Sequence, residues 1–290
     1  MNRQHIILAV GVVSVSFAAL FVRLAQAPPL IIAAYRLCLA SLLLDPVALM
    51  RSRNELRRLS RRDVFLMLLS GTFLALHFGL WITSLSYTSV ATSVVLVTVS
   101  PIFVAIASYL LFGERLSGQT IVGIAACILG ATLVTYGNWR LGPGPLFGGV
   151  LALLGALAVA GYMLIGRRLR QSLGLLSYSS IVYSSAGLLL LISAIALRYP
   201  LFGYSTGTYM MLLLLAVVPQ LLGHTSLNWS LRFVSATLVT VAVLGEPVGA
   251  TLWAFLFLGE VPALTEVVGG TLILIGIVVA FREREIALHR

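Results

Sequence analysis

The chain contains no lysine, and charged residues of every kind make up only 10% of its 290 residues. A soluble globular domain carries about 25% charged residues, so this chain is too poor in charge to form a water-soluble surface. Two cysteines are too few for a disulfide-rich secreted scaffold. Hydrophobic residues account for 60% of the chain, which excludes intrinsic disorder. The class that remains is an all-α polytopic membrane protein.

Long apolar runs between charges and Pro/Gly clusters predict the membrane-spanning segments. A transmembrane helix needs about 20 mostly apolar residues, and ten such runs are present. The predicted helices are 5–22, 29–49, 63–86, 90–112, 118–137, 145–165, 174–197, 207–230, 233–258 and 263–281. The first run resembles a cleavable signal peptide, but its apolar part exceeds the usual length of about 7–15 residues. We therefore treat it as the first helix.

The arginines predict the orientation in the membrane. All nineteen basic residues are arginine, and with a cytoplasmic N-terminus fifteen of them fall in cytoplasmic segments. Only Arg23, Arg140 and Arg198 fall outside, and Arg36 lies within the second helix. This asymmetry follows the positive-inside rule, so we expect both termini in the cytoplasm and the protein in the inner (plasma) membrane. Because the arginines are dispersed over short loops, they do not form a nucleic-acid-binding patch.

The sequence also contains an internal repeat. Residues 81–136 align with 227–282 without a gap, and twelve of the 56 positions are identical. The informative identities are Pro101 with Pro247, Gly113-Glu114 with Gly259-Glu260, and Gly123 and Gly130 with Gly269 and Gly276. We therefore predict two repeats, 1–140 and 141–290, of five helices each. Since five is odd, the second repeat is inverted in the membrane, as in many secondary transporters.

These repeated motifs carry a family resemblance. The segments are Ser86 to Ser93, Ser100-Pro101, Gly113 to Leu116, Glu246-Pro247 and Gly259-Glu260. They resemble the EamA domain, and two such domains resemble the drug/metabolite transporter superfamily over essentially the whole chain. The resemblance implies export of small metabolites, with amino acids or similar amphipathic solutes as the first expectation. A homodimer is left open.

The same resemblance implies transport without ATP. The phosphate-binding motif G-x-x-x-x-G-K-[ST] requires a lysine, which the chain lacks. Neither an H-E-x-x-H motif nor a paired-cysteine metal motif occurs, so no cofactor or metal is expected. Transport would then use a gradient of the substrate or of a coupling ion such as the proton.

Polar and ionisable residues within the predicted helices indicate the candidate site, because such groups are costly in a bilayer. The predicted cavity residues are Arg36, His77, Trp81, Ser93, Ser100, Gln220, His224, Asn228 and Glu246. Gln220, His224 and Asn228 are spaced four apart and share one helical face. For a single histidine, an interhelical hydrogen bond remains the alternative to a place in the cavity.

Glu246 is the most informative of these residues. It is predicted near the middle of the ninth helix, and its repeat counterpart is the uncharged Ser100, so the fold does not require an acid there. It could couple transport to protons or balance a substrate amine. Arg36 could extend to the outer surface, pair with Glu246 or bind an anionic group. Together they would suit a zwitterion such as an amino acid.

Two prolines and two Gly-Glu pairs are predicted to shape the helix ends and breaks. Pro101 and Pro247 should kink their helices and free the carbonyls of Val97 and Val243, either as packing kinks or as hinges lining a cavity. Gly113-Glu114 and Gly259-Glu260 are predicted corner locks. In each, the glycine ends one helix and the carboxylate caps the next.

The sequence thus predicts a secondary transporter with a central cavity walled mainly by helices 1, 3, 4, 6, 8 and 9 and opened alternately to each side. Two other classes remain as alternatives. An intramembrane enzyme acting on lipid or prenyl substrates would need clustered acids, bases or metal ligands near one interface, whereas these groups are few and scattered. A passive channel or scaffold would also tolerate inverted repeats.

Overall fold

A computed structural model describes residues 3–112, 118–233, 239 and 242–287, so the predicted corner residue Glu114 lies outside it. All regular elements in these ranges are helical. We number the α-helices α1 Arg3–Ser16, α2 Ala18–Leu24, α3 Pro29–Arg51, α4 Arg53–Arg57, α5 Arg61–Ser84, α6 Val90–Val97, α7 Ser100–Phe112, α8 Gly118–Leu141, α9 Pro143–Arg170, α10 Leu175–Ala196, α11 Thr206–Leu215, α12 Thr225–Ser230, α13 Gly245–Leu258 and α14 Leu264–Ala287. A π-helical segment, Ala216–His224, joins α11 to α12.

The helices have the length and composition of a polytopic membrane protein. In the described part of the chain, eight helical stretches are long and apolar enough to cross a membrane. They coincide with the first eight predicted helices; for example, the predicted segment 29–49 corresponds to Pro29–Arg51. Two shorter apolar helices, Gly245–Leu258 and Leu264–Val279, lie where the ninth and tenth were predicted.

Helices α8 and α14 pack against each other through the glycines that the repeats share. A Cβ atom on Gly130 would lie 2.5 Å from the carbonyl oxygen of Gly269, and one on Gly276 would lie 2.7 Å from that of Gly123. Because the earlier residue of α8 meets the later residue of α14, the two helices run antiparallel. Small residues allow this close approach of helix backbones in a membrane.

Two membrane helices are interrupted rather than kinked. In the first repeat α6 ends at Val97 and α7 begins at Ser100, so Pro101 occupies the first turn of a new helix. In the second repeat α13 begins at Gly245, which places Pro247 in its first turn. Proline suits this position, because the first N–H groups of a helix have no intrahelical acceptor.

These breaks correct two sequence-based expectations. Glu246 lies in the first turn of α13 rather than in the middle of a continuous helix. The carbonyl of Val243, which was expected to be free, accepts a hydrogen bond of 2.8 Å from the backbone N–H of Glu246. A short turn therefore replaces the bond that Pro247 cannot donate, and the helix restarts instead of bending.

The corner after α13 has the expected glycine but a different capping acid. Gly259 ends α13 in the left-handed conformation, with φ at 68°. Glu260 does not cap the following helix; its Oε2 accepts from the backbone N–H of Val90, 2.9 Å away at the start of α6. The following helix is capped by Glu266, whose Oε2 accepts from the N–H of Ala263 at 2.7 Å. Glu260 thus links the two repeats.

Candidate functional site

A small cavity lies at the centre of the bundle. Its lining includes six of the predicted site residues, namely Arg36, His77, Trp81, Ser100, His224 and Glu246. Val15 and Ala18 contribute the wall from the first membrane helix, so this segment is part of the bundle. The cavity volume is about 50 Å³. Since one water needs at least about 10–15 Å³, the space admits only a few waters, and a metabolite would require it to widen.

The cavity wall is built largely from matched positions of the two repeats. Five matched pairs contribute residues to the wall, four of them in the 146-position register of the internal repeat and one in the 144-position register that aligns the first helix of each repeat. These pairs are Val15 with Val159, Phe78 with His224, Trp81 with Leu227, Val97 with Val243, and Ser100 with Glu246. The rings of Phe78 and His224 are in contact, with centroids 5.2 Å apart. The cavity therefore lies where the two repeats meet.

Both helix breaks face this cavity. Val97, Thr98 and Ser100 line it from the first break, and Val243 and Glu246 line it from the second. A helix that begins inside the membrane has free backbone N–H groups and the positive end of its dipole at its N-terminus. Both are then available to groups in the cavity. Glu246 lies in such a first turn, where a carboxylate is favoured. The breaks thus supply polar backbone to an otherwise apolar interior.

The side chain of Arg36 in α3 is fully buried, and only some of its hydrogen-bond donors have an acceptor in the described residues. Its Nε donates to Gln220 Oε1 at 2.9 Å, and its guanidinium carbon lies 4.0 Å from the centroid of the Phe78 ring. Among the described residues, neither Nη1 nor Nη2 has a hydrogen-bond partner. The same part of the chain contains no ion pair between Arg36 and Glu246, although both line the cavity.

The π-helical segment positions the polar residues of the eighth membrane helix. Pro219 lies within it and lacks the N–H that a regular α-helical bond would need, which favours the wider turn. Gln220 is directed to Arg36, and His224 faces the cavity. Asn228 lies one turn further on and does not line the cavity; it accepts from the Tyr162 hydroxyl at 2.7 Å and donates to that of Tyr183 at 3.1 Å.

Helix α5 supplies an aromatic wall with one anchored histidine. His77 donates from Nδ1 to the carbonyl of Gly155 at 3.0 Å, which is the interhelical bond that the sequence left as an alternative. Its ring stacks parallel to that of Trp81, with centroids 6.1 Å apart. Within the described residues, Trp81 Nε1 and His224 Nδ1 are buried without hydrogen-bond partners. Both atoms belong to side chains that line the cavity.

Ser93, like Gln220 and Asn228, was predicted to line the cavity but lies outside its lining and makes an interhelical contact. It is fully buried, and its hydroxyl shares a hydrogen bond of 2.6 Å with that of Ser84. Phe78, whose ring covers the guanidinium of Arg36, was not predicted from the sequence. The repeat register could have identified it, because it pairs Phe78 with His224.

Two arginines, Arg23 and Arg167, make polar contacts with turns at the ends of the membrane helices. Arg23 pairs with Glu260 at 3.2 Å and donates to the carbonyl of Thr88 at 2.8 Å. Arg167 occupies the matched position of the second repeat and donates to the carbonyl of Leu231 at 2.6 Å. Each arginine thus reaches the turn after a membrane helix of its own repeat.

The chain belongs to the EamA-like transporter family, whose model matches residues 3–136 and 146–282. It is therefore a membrane transporter built from apolar helices. The two matched ranges correspond to the two halves that the repeat separates.

Two individual relatives are also named as transporters. The chain is 26% identical to an uncharacterized transporter of Archaeoglobus fulgidus over 70% of this chain and 71% of that protein. It is 28% identical to the pseudopaline exporter CntI of Pseudomonas aeruginosa over 78% of each chain. A crystal structure with 19% sequence identity superposes with a TM-score of 0.69 over 96% of each chain, which shows that the fold is shared.

Proposed function

We propose that this protein is a secondary active transporter that moves small amphipathic metabolites across the inner membrane by alternating access. The observation that carries the proposal is the central cavity lined by matched positions of both repeats. Two inverted halves around one site give two conformations of similar energy, each open to one side of the membrane. The two helix breaks at the cavity support the same mechanism, since discontinuous helices commonly form transporter sites.

The proposed architecture has ten membrane helices in two inverted repeats, with both termini in the cytoplasm. The eight long spans and two shorter apolar helices support this number. The antiparallel contacts between Gly123 and Gly276 and between Gly130 and Gly269 support the inversion. The arginine distribution supports the orientation.

Amino acids or similar solutes are the proposed substrates, and export is the proposed direction. The opposite charges of Arg36 and Glu246 in one cavity would suit such solutes. The name of one relative, a pseudopaline exporter, supports export of a metabolite. The two groups also argue for a carrier rather than an enzyme, because a cavity with one buried acid and one arginine offers a binding surface for both ends of a solute.

The test is solute counterflow in proteoliposomes. Vesicles preloaded with an unlabelled amino acid should accumulate the labelled form transiently, and the uptake should saturate. A panel of amphipathic amino acids identifies the substrate, and empty liposomes give the background. Saturable counterflow establishes a carrier, whereas uptake that rises linearly with concentration and shows no counterflow would indicate a channel and contradict the proposal.

We further propose that Glu246 exchanges a proton during the transport cycle. It is the acid that lines the cavity, and its matched counterpart Ser100 cannot titrate. An inward proton gradient should therefore accelerate efflux from vesicles containing the wild-type protein. In Glu246→Gln, counterflow should be slower but still measurable, and its acceleration by the proton gradient should disappear. If the variant still responds to the gradient, Glu246 is not the coupling group.

A further inference from the structure

The guanidinium of Arg36 presents unused hydrogen-bond donors to the central cavity. An arginine carries five N–H donors, and only the one on Nε is occupied by a protein acceptor in the described part of the chain. Gln220 and Phe78 hold the group from its Nε edge and from one face. The two terminal nitrogens therefore remain in a fixed orientation with no acceptor of their own among the described residues.

A buried charge held in this way requires a counter-ion. Removing an isolated ion from water costs several kcal/mol, which natural proteins offset with a paired charge or a bound ligand. Glu246 lines the same cavity and would be the obvious partner, yet no ion pair joins it to Arg36 in the described residues. The two side chains thus line one cavity without a direct ion pair between them in the described residues.

A second buried donor faces the same space. Trp81 lines the cavity, and its Nε1–H can only donate, yet no acceptor for it occurs within the described ranges. A ligand that satisfied both Arg36 and Trp81 would have to supply several acceptor atoms in one group. A planar carboxylate does so, because its two oxygens match the spacing of the two terminal nitrogens of a guanidinium.

We propose that Arg36 and Trp81 form a carboxylate subsite, and that the transported solute places its cationic amine toward Glu246. The inference rests on the proposed transport function and defines its substrate class. Charge balance favours a zwitterion over a phosphate ester. A zwitterion offers a carboxylate to Arg36 and an ammonium group to Glu246, whereas a phosphate dianion offers Glu246 no counter-charge.

Binding to matched solutes tests the subsite. Two series are used: leucine, isopentylamine and 4-methylpentanoate, and phenylalanine, phenethylamine and 3-phenylpropionate. Each zwitterion should raise the melting temperature of the purified protein in detergent, with the matched amine and acid binding roughly 10- to 100-fold more weakly. If the amines bind as well as the zwitterions, or if neither zwitterion binds, the subsite proposal is wrong.

Two variants test whether Arg36 and Trp81 are responsible for the preference for the zwitterion. Arg36→Met should remove the preference for the zwitterion and, without any ligand, should melt no lower than wild type, because it removes an unbalanced buried charge. Trp81→Phe keeps an aromatic ring at this position but loses the N–H together with part of the ring area, so it should weaken zwitterion binding by about fivefold and leave amine binding unchanged. Arg140→Gln, in an exposed arginine at the end of α8, is the matched control and should behave as wild type.

The outcomes separate this proposal from the transport function. If Arg36→Met melts well below wild type and retains the zwitterion preference, Arg36 is structural and the subsite is refuted. Counterflow of a solute without a carboxylate would also refute the subsite while leaving the transporter assignment intact. Absence of counterflow for every solute, with zwitterion binding retained, would instead refute the transport mechanism.

Discussion

The two repeats contribute matched backbone positions to the cavity but different side chains. Ser100 and Glu246 occupy the same register and lie in the first turns of the two helices that follow the breaks. Phe78 and His224 form a second matched pair, which meets directly at the cavity. In both pairs the second repeat carries the titratable group. The backbone scaffold is therefore symmetric between the repeats, whereas the side-chain chemistry is not.

The repeats share the residues that set the backbone geometry, and they differ in the ionisable residues, which are costly to place inside a membrane. Proline in a first turn and glycine at a helix contact create the same backbone geometry twice, so each repeat needs them. An ionisable group inside a membrane is expensive, so it is expected only where a solute or an ion uses it. Arg36 follows this rule, because it lines the cavity.

The largest effect on the transport rate is expected when Glu246, at the second break, is replaced by the serine found at the matched position of the first break. Glu246→Ser should fold normally, because serine already occupies the matched position in the first repeat. It should slow counterflow by roughly 10- to 100-fold, the loss expected for one charge-assisted contact of about 1.5–3 kcal/mol. Ser100→Ala is the control and should change the rate less than about twofold. Equal rates for Glu246→Ser and wild type would show that this asymmetry has no role in transport.

Changing a shared residue should affect stability rather than specificity. In Gly130→Ala and Gly276→Ala the new Cβ would lie 2.5 Å and 2.7 Å from backbone oxygens of the facing helix. Overpacking of this kind costs about 1–3 kcal/mol of unfolding free energy, which thermal unfolding in detergent would detect. Gly144→Ala is the control, since nothing lies within 4 Å of its Cβ and helical Ala is favoured over Gly. A stable Gly130→Ala would mean that α8 and α14 do not need this close contact.

The membrane helices were predictable because bilayer thickness limits their length. One apolar run predicted a helix over 174–197, and the structure has Leu175–Ala196. The breaks were not predictable in the same way. A proline in an apolar run is compatible with a kink or with a restarted helix, and the outcome depends on neighbouring contacts such as that of Val243 with Glu246.

The site residues were predictable by type, and their partners were not. Charge and polarity within apolar runs identified Arg36 and Gln220 separately, but they are 184 positions apart and only the fold brings them together. Local pattern also cannot separate a cavity serine from a packing serine, so Ser93 and Ser100 were grouped although Ser93 bonds to Ser84. Glu266, which caps α14 and also accepts from Thr92 at 2.5 Å, had no distinguishing signal in the sequence.

A smaller effect on the transport rate is expected when the prolines at the two helix breaks are replaced by alanine. Pro101→Ala and Pro247→Ala each restore a backbone N–H and let the helix continue across the break. Stability should change by less than about 1 kcal/mol, because first-turn proline is well tolerated. Counterflow should fall by a few-fold in both variants if both breaks serve the mechanism. A loss in Pro247→Ala alone would show that only the break carrying Glu246 is used.

The smallest effect is expected at the corner formed by Arg23 and Glu260, whose residue types recur at the matched positions of the other repeat. Arg23 and Glu260 form an ion pair whose side chains are 29% and 28% exposed, and partly solvated pairs of this kind contribute about 0.2–1 kcal/mol. A double-mutant cycle with Arg23→Gln and Glu260→Gln should therefore give a coupling energy in that range, measured by thermal unfolding. Zwitterion binding should be unchanged, since neither residue lines the cavity. A coupling energy above about 2 kcal/mol would show instead that this corner, and not the shared glycine contact, holds the two repeats together.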